Sequence, residues 1–448
     1  MPTRYDILII GGGNAGFGVS SVAAKAGKRI AFAEARDFGG TCPNRGCTPK
    51  KILVAAAHAL HEIERAKVHG IEVGAPRLDW GRLIDRVQTM IAPLPDSMEK
   101  LAHKRGDVVR GAARFVAGNA VAVGDSVLEA EHIVIATGSK PRPLSLPGAG
   151  HLITSEQVLS ERERPDEVVF IGGGVIAMEF SHVYARAGAK VTILELMPQV
   201  LSGLDPDAVT QIRNESERIG ITVHTEVEVK ELTHTGERLR VRYVHEAREA
   251  TIDADRVING AGRIANVDAL DLDAGGVRHD GIRIEVDACL RSVSNPSVWV
   301  CGDALVGSAQ LSPLATCEGQ LVGRNIVNGS NEQPDYRTVP SCVFTVPALA
   351  SVGLSGPQAE EQGLDVSVAV NDMSEWFSAR TYGESAAWSK VLVDNASGQI
   401  VGAHLIGHHA EDLIHLFALA MKHGISTVEL EDSLFAFPTF SADVKNLL

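Results

Sequence analysis

The chain has 448 residues, 45% hydrophobic and 22% charged, which at about 150 residues per domain gives roughly two to four domains, each with its own core. Lys and Arg number 42 against 56 Asp and Glu, a formal charge of −14. With no basic block, that balance argues against a nucleic-acid partner. No apolar run reaches the ~18 residues that span a bilayer, so no membrane partner is expected.

Asp6-Ile7-Leu8-Ile9-Ile10 has the pattern of a buried strand entering a turn, not of a signal peptide, and a cytoplasmic location is expected. Gly11-Gly12-Gly13-Asn14-Ala15-Gly16 then opens a helix rich in Ala, Ser and Val, and the strand Arg29 to Ala33 ends at Glu34. Gly11, Gly13 and Gly16 fit G-x-G-x-x-G: the first for a tight turn, the second for approach of a pyrophosphate, the third for close helix–strand packing. The helix start offers free N–H groups to phosphates, and Glu34 is placed for a ribose hydroxyl.

Six cysteines are too few for a disulfide scaffold, and Cys289, Cys301, Cys317 and Cys342 read as small buried apolar residues. Cys42 and Cys47 differ. They lie in Gly39-Gly40-Thr41-Cys42-Pro43-Asn44-Arg45-Gly46-Cys47-Thr48-Pro49-Lys50-Lys51, ahead of a helical stretch from Ile52 to Ala66. Positions i and i+5 of a regular helix are about 140° apart, so pairing needs the distorted turn that Pro43 and Gly46 allow. A strained, exposed bond there is easily reduced, and a helix start with Lys50 and Lys51 favours a thiolate. The alternatives are half a metal site, for which no completing ligands are found, or two inert thiols.

The nucleotide grammar recurs. Val168 to Ile171 leads into Gly172-Gly173-Gly174-Val175-Ile176-Ala177, with Ala177 in the third glycine's place, and the strand Lys190 to Leu194 ends at Glu195. The acid follows the first glycine at the same offset in both copies. Two dinucleotides in one chain suggest electron transfer between a resident and an exchanging cofactor. Glu195, with no Arg or Lys from Leu196 to Leu204, favours NAD(H) over NADP(H). Near the C-terminus, His404, His408, His409, His415 and His423 lack Cys or paired carboxylates at ligand spacing. Adjacent His408 and His409 are expected to diverge, and no metal site is expected.

On these residues the chain resembles the FAD-dependent pyridine nucleotide–disulfide oxidoreductases, which include glutathione reductase, dihydrolipoamide dehydrogenase and mercuric reductase. Gly40-Thr41-Cys42 through Lys51 resembles the redox-active segment. Ala136-Thr137-Gly138 resembles the turn closing the first FAD section, and Gly260-Ala261-Gly262-Arg263 the turn leaving the NAD domain. Cys301-Gly302-Asp303 resembles the second FAD signature, Leu311 to Ala315 the helix start aimed at the flavin, and Phe344 to Leu354 the opening of the dimerisation domain. The resemblance implies an α/β homodimer with two Rossmann-like dinucleotide-binding domains and a C-terminal α+β dimerisation domain. FAD sections would span 1–143 and 266–335, the NAD(P) domain 144–265 and the dimerisation domain 336–448. It also implies Cys47 against the flavin, Cys42 toward substrate, and a Lys51–Glu179 ion pair beside the flavin's reactive nitrogen. Val175 stands where glutathione reductase has a tyrosine gate.

One departure bears on function. Disulfide-reducing members end in His-Pro-Thr-x-x-Glu, whose imidazole enters the partner subunit's site and protonates the departing thiolate. Here the stretch is Phe437-Pro438-Thr439-Phe440-Ser441-Ala442: both members of the dyad are gone, and Asp443 is about 100° off the Glu position. General acid–base help is worth ~10²–10⁴-fold. The expected activity is therefore electron transfer from NAD(P)H through FAD and Cys42–Cys47 to a small thiol-reactive substrate needing no acid: a sulfur compound with an acidic leaving group, or a soft metal ion. The alternatives are carbon–sulfur cleavage like that of 2-ketopropyl coenzyme M oxidoreductase/carboxylase, with Phe437 excluding protons, and a non-catalytic or diaphorase-like flavoprotein.

Overall fold

Runs of Ile, Val and Leu bounded by glycine set the strands, and the glycines fall where the chain turns back. The computed structural model describes residues 3–448 and divides into two units: 1–50, 86–142 and 263–335 in one, 51–85, 143–262 and 336–448 in the other.

The first unit is built on a seven-stranded sheet. Asp107–Arg110, Ile30–Glu34, Thr3–Ile10, Ser126–Ile135 and Val298–Val300 run parallel in that order, and Ala113–Ala117 and Ala120–Val123 continue antiparallel from Ser126–Ile135. Ile10 is level with Ala33 and Ile135, and Val300 with Ile135. Gly11, Glu34, Ala136 and Cys301 therefore emerge together at the carboxyl edge, where open α/β sheets bind ligands.

The helices Asn14–Ala23 and Ser312–Asn328 meet through glycine. A Cβ on Gly319 would lie 2.1 Å from the Ala15 carbonyl oxygen, and one on Gly18 2.5 Å from that of Thr316. This fixes where Ser312 begins its helix.

In the second unit Thr222–His224, Lys190–Leu194, Glu167–Ile171 and Arg256–Asn259 form a parallel sheet in that order. Its carboxyl edge carries Gly172, Glu195 and Gly260, and a three-stranded meander spans Glu228–Ala254. The last part of the chain is a five-stranded antiparallel sheet, ordered Ser341–Val343, Ala348–Gly353, Ile400–Gly407, Trp388–Asp394 and Val366–Asp372. The helix Ala410–His423 packs on it through Ile414 and Phe417.

The strand Arg263–Ala265 pairs with Ser139–Pro141 within the first unit, and 51–85 lies in the second. Two expectations change. Cys317 is exposed, not buried, because it faces outward on its helix, while Cys289 and Cys342 are half-buried and Cys301 is buried as expected. His408 and His409 do not diverge: a left-handed His409 (φ 59°) brings their rings to 4.0 Å. Among the described residues no helix is long and apolar enough to cross a membrane.

Gly319→Ala is expected to destabilise the protein by about 2 kcal/mol through overpacking. Chemical denaturation at a fixed FAD concentration measures it, and an unchanged midpoint would contradict the helix contact.

Candidate active site

The carboxyl edge of the first sheet is kept open by residues that lack a Cβ. Gly11 has φ 114°, and a Cβ there would meet the Ala136 oxygen at 2.3 Å; one on Gly16 would meet the Gly11 oxygen at 2.2 Å. Gly40 packs on Gly13, and Gly302 packs between Ala15 and Ala315. Glu34 is held by two amides: Gly12 donates to Oε2 at 2.6 Å and Arg36 to Oε1 at 2.7 Å. A carboxylate has about four acceptor sites, so hydroxyls of a ribose still find partners.

On the far side Ser139 donates to Asp303 at 2.9 Å, and Arg263 donates to Ser139 Oγ at 2.9 Å and to its carbonyl at 2.6 Å. Burial pushes the Asp303 carboxyl up, against the Ser139 hydrogen bond and the Arg263 charge. Gly138 (φ 70°) accepts the Asn266 amide at 2.9 Å. Thr137 Oγ1 is buried with no partner in the protein, and such a group normally has one. An open glycine cradle at a helix start, an anchored ribose acceptor and an orphaned hydroxyl fit FAD. Gly11, Gly13, Asn14, Ala15, Gly16 and Glu34 would hold its adenosine diphosphate part, and Thr137, Gly302, Asp303 and Ala315 its remainder.

The cysteines belong to the same unit. Thr41–Arg45 is a short helix carrying Cys42; Gly46 (φ −140°, ψ −113°) breaks it, and a 19-residue helix starts at Cys47 itself, five residues earlier than the sequence pattern suggested. Asn44 Nδ2 clamps the break by donating to the Phe38 and Gly40 carbonyls, both at 3.0 Å, and Arg45 pairs with Asp37 at 2.7 Å. Cys42 is half-buried and Cys47 exposed, and the two side chains are hydrogen-bonded to each other. That bond does most to draw the Cys47 thiol down to about 6, with help from the Ser312 hydroxyl and the Lys50 charge and against burial. The same bond, then burial, push Cys42 up. Cys47 is the thiolate and Cys42 keeps the proton.

The second unit repeats the cradle. Gly172 has φ 96°, and a Cβ there would meet Ala261 at 2.6 Å; one on Gly174 would be 3.2 Å from the Gly260 oxygen. Glu195 accepts the Gly173 amide with one oxygen and the Met197 amide, at 2.7 Å, with the other, reproducing Glu34 in the first copy. Val175 and Ile176 begin the helix Val175–Arg186, with Val175 46% exposed, and Gly262 has φ 88°.

Lys51 and Glu179 share Phe344. Lys51 Nζ stands 3.9 Å over its ring and Glu179 accepts its amide at 2.9 Å, and the Glu411 carboxylate is 3.5 Å from Lys51. Lys51 and Glu179 are thus brought to one aromatic residue, and Glu411 approaches Lys51 from the helix Ala410–His423.

Phe437 is 84% exposed and Leu434 97%. Phe440, three residues on, packs on His408 at 5.0 Å, and His408 Nδ1 lies 3.0 Å from buried Glu384, which Arg65 and His61 also contact. Burial would raise the Glu384 carboxyl, but the His408 and His61 hydrogen bonds and the Arg65 charge hold it at about 2. Asp443 accepts from Ser378. Among the described residues no group of three or more His, Cys, Asp or Glu is arranged to hold a metal ion.

Sequence reading missed Asn44, Ser139, Ser312 and Glu411 as site residues. Asn44 and Ser312 had a signal, their places in the Gly39 to Lys51 segment and the Leu311 to Ala315 motif.

Two dinucleotide cradles, a dithiol turn and a C-terminal antiparallel sheet define a flavin-dependent dithiol oxidoreductase. The chain belongs to the pyridine nucleotide-disulphide oxidoreductases: residues 5–319 match that family and residues 339–448 its dimerisation domain. It is 32% identical to the dihydrolipoyl dehydrogenase of Chlamydia muridarum over 98% of this chain and 95% of that one. It is 28% identical to the mercuric reductase of Lysinibacillus sphaericus over 99% and 82%. The fold superposes on the HOCl-induced flavoprotein disulfide reductase RclA from Escherichia coli, also solved as its Cu(II) complex, with a TM-score of 0.88, 26% identity and 99% coverage of both chains. Members are FAD-dependent enzymes that use NAD(P)H, and the match to the dimerisation domain supports a homodimer.

Thr137→Val removes a hydroxyl that no protein group pairs. The FAD-free protein should melt no lower than wild type, while FAD affinity, read by flavin fluorescence, falls about tenfold. Unchanged affinity would take Thr137 out of the site.

Proposed function

We propose that the protein is an NADH-dependent flavoenzyme whose Cys42–Cys47 pair reduces an acceptor that needs no proton, namely a soft or borderline metal ion such as Cu(II). The observation that carries this reading is the loss of both dyad residues, with exposed Phe437 and half-buried Ala442 in their places. Reducing an ordinary disulfide leaves a thiolate that must be protonated; reducing a metal ion does not. One dithiol losing two electrons to two Cu(II) ions gives the disulfide, two Cu(I) and the single proton of Cys42, which leaves to water. Thiolates are suitable ligands for the reduced ion. The Cu(II) complex of RclA and the mercuric reductase among the relatives support the same class of acceptor.

The chain's residues divide the work. Bound FAD supplies the two-electron relay between nicotinamide nucleotide and cysteines. The Gly172–Gly174 turn and the helix behind it bind the pyrophosphate of the nicotinamide nucleotide, and Glu195 accepts from an unmodified ribose while repelling a 2′-phosphate. Cys47 holds the charge of the reduced pair, and Cys42, on the short helix before it, meets the acceptor. Phe437 lies in the segment that, in the family, a partner subunit covers, and it brings an apolar ring in place of a proton donor.

Under anaerobic conditions NADH should drive Cu(II) reduction, read with a Cu(I)-specific chelator, and Cys42→Ser or Cys47→Ser should remove it while FAD stays bound. Equal copper reduction by the Cys42→Ser enzyme would sink the proposal. NADH should exceed NADPH in kcat/KM by on the order of a hundredfold. Restoring the dyad with Phe437→His and Ala442→Glu should raise turnover of a simple disulfide by about 10²-fold, with copper turnover little changed.

A further inference from the structure

We propose that the Ser312 hydroxyl, 3.4 Å from Cys47 Sγ, is a positioning donor that keeps the negative charge of the reduced pair on Cys47 in a site without an imidazole. This rests on the electron-transfer reading above but on different atoms.

Ser312 is the first residue of a 17-residue helix whose N-cap, Leu311, makes no side-chain cap. Its carbonyl is already engaged, by Thr316 Oγ1 at 3.1 Å and Asn14 Nδ2 at 3.5 Å, while its hydroxyl faces sulfur. The glycine contacts of Gly18 and Gly319 with the opposite helix set its height along the sheet edge. A hydroxyl both donates and accepts, whereas a thiolate only accepts. Once Cys47 is charged, the proton between them belongs to Ser312.

The groups facing Cys47 are few. Cys42 comes from the preceding turn and Lys50 from the same helix, and the first turn of the Ser312 helix brings no acid. Two helix starts, at Cys47 and at Ser312, also favour negative charge there. The balance is closed without an external acid: the disulfide takes the two electrons and the one proton of a hydride equivalent from NAD(P)H, giving a Cys42 thiol and a Cys47 thiolate. When the electrons leave, the sulfur–sulfur bond re-forms and the Cys42 proton departs. Here a serine of the same chain places its hydroxyl beside the charged sulfur. The direction of the Cys47 shift agrees, since Ser312 contributes to lowering it; Ser312 acts in the same direction on Cys42, where the hydrogen bond with Cys47 and burial outweigh it.

The test is the pH dependence of iodoacetamide alkylation at Cys47, assigned by mass spectrometry on FAD-loaded protein reduced with dithiothreitol and desalted. Wild type should show a midpoint near about 6. Ser312→Ala should move it up by about one unit, so that alkylation at about pH 5 falls roughly tenfold. Ser312→Thr, which keeps the hydroxyl, should restore the wild-type midpoint. The proposal is overturned if Ser312→Ala leaves the midpoint in place, or if Ser312→Thr moves it as far as Ser312→Ala does. The assay contains no acceptor, so a shifted midpoint in an enzyme that fails to reduce Cu(II) would discard the acceptor assignment and keep Ser312.

Discussion

The constraint on which the first unit depends is the close approach of backbones at one sheet edge. Gly11 touches Ala136, Gly16 touches Gly11, and Gly302 fits between Ala15 and Ala315, each at a distance that a methyl group would violate. These contacts bring the ends of strands far apart in sequence to one level, so that Glu34, Thr137 and Asp303 surround one space. The space stays open because glycine adds nothing to fill it, and a helix N-terminus supplies its donors. The second unit applies the same solution at Gly172 and Glu195. The agreement extends to the carboxylate, held by the amide after the first glycine and the amide two residues beyond the acid.

The dithiol is made by interrupting a helix. An unbroken helix from Thr41 would splay Cys42 and Cys47, whereas Gly46 stops one helix and lets another begin on the reactive sulfur. Asn44 and Arg45 spend their polar groups holding that break. The result is asymmetric. Cys47 gains a helix start and a lysine, and the Ser312 hydroxyl lowers both thiols, but burial and the hydrogen bond with Cys47 outweigh it at Cys42, so charge and proton separate onto different sulfurs.

At the other end of the chain the frame of the acid–base segment survives without its chemistry. Phe440 and Asp443 anchor it on His408 and Ser378, and Glu384 with His61, Arg65 and His408 forms a buried charged support. A buried carboxylate so paired is costly to disturb, which suits a scaffold for the segment. His408 and Glu384 are themselves a histidine–carboxylate pair, but Tyr382 stacks on the imidazole and Phe440 packs against both rings.

Local spacing in the sequence was enough for both nucleotide cradles, their acids, the cysteine pair and the missing dyad, because each depends on residues a few positions apart whose geometry a strand–turn–helix imposes. It also marked Asp303 and Ala315 through short motifs. The tertiary structure alone decided that the Lys51 ammonium meets Glu411, that Ser139 and Arg263 support Asp303, that the chain returns to the first unit at Arg263, and that Ser312 lies against Cys47 from 265 residues away. The reason is that spacing carries only what the backbone enforces locally. Which side chains meet across a sheet edge depends on strand order and helix register, and those follow from the packing of the whole chain.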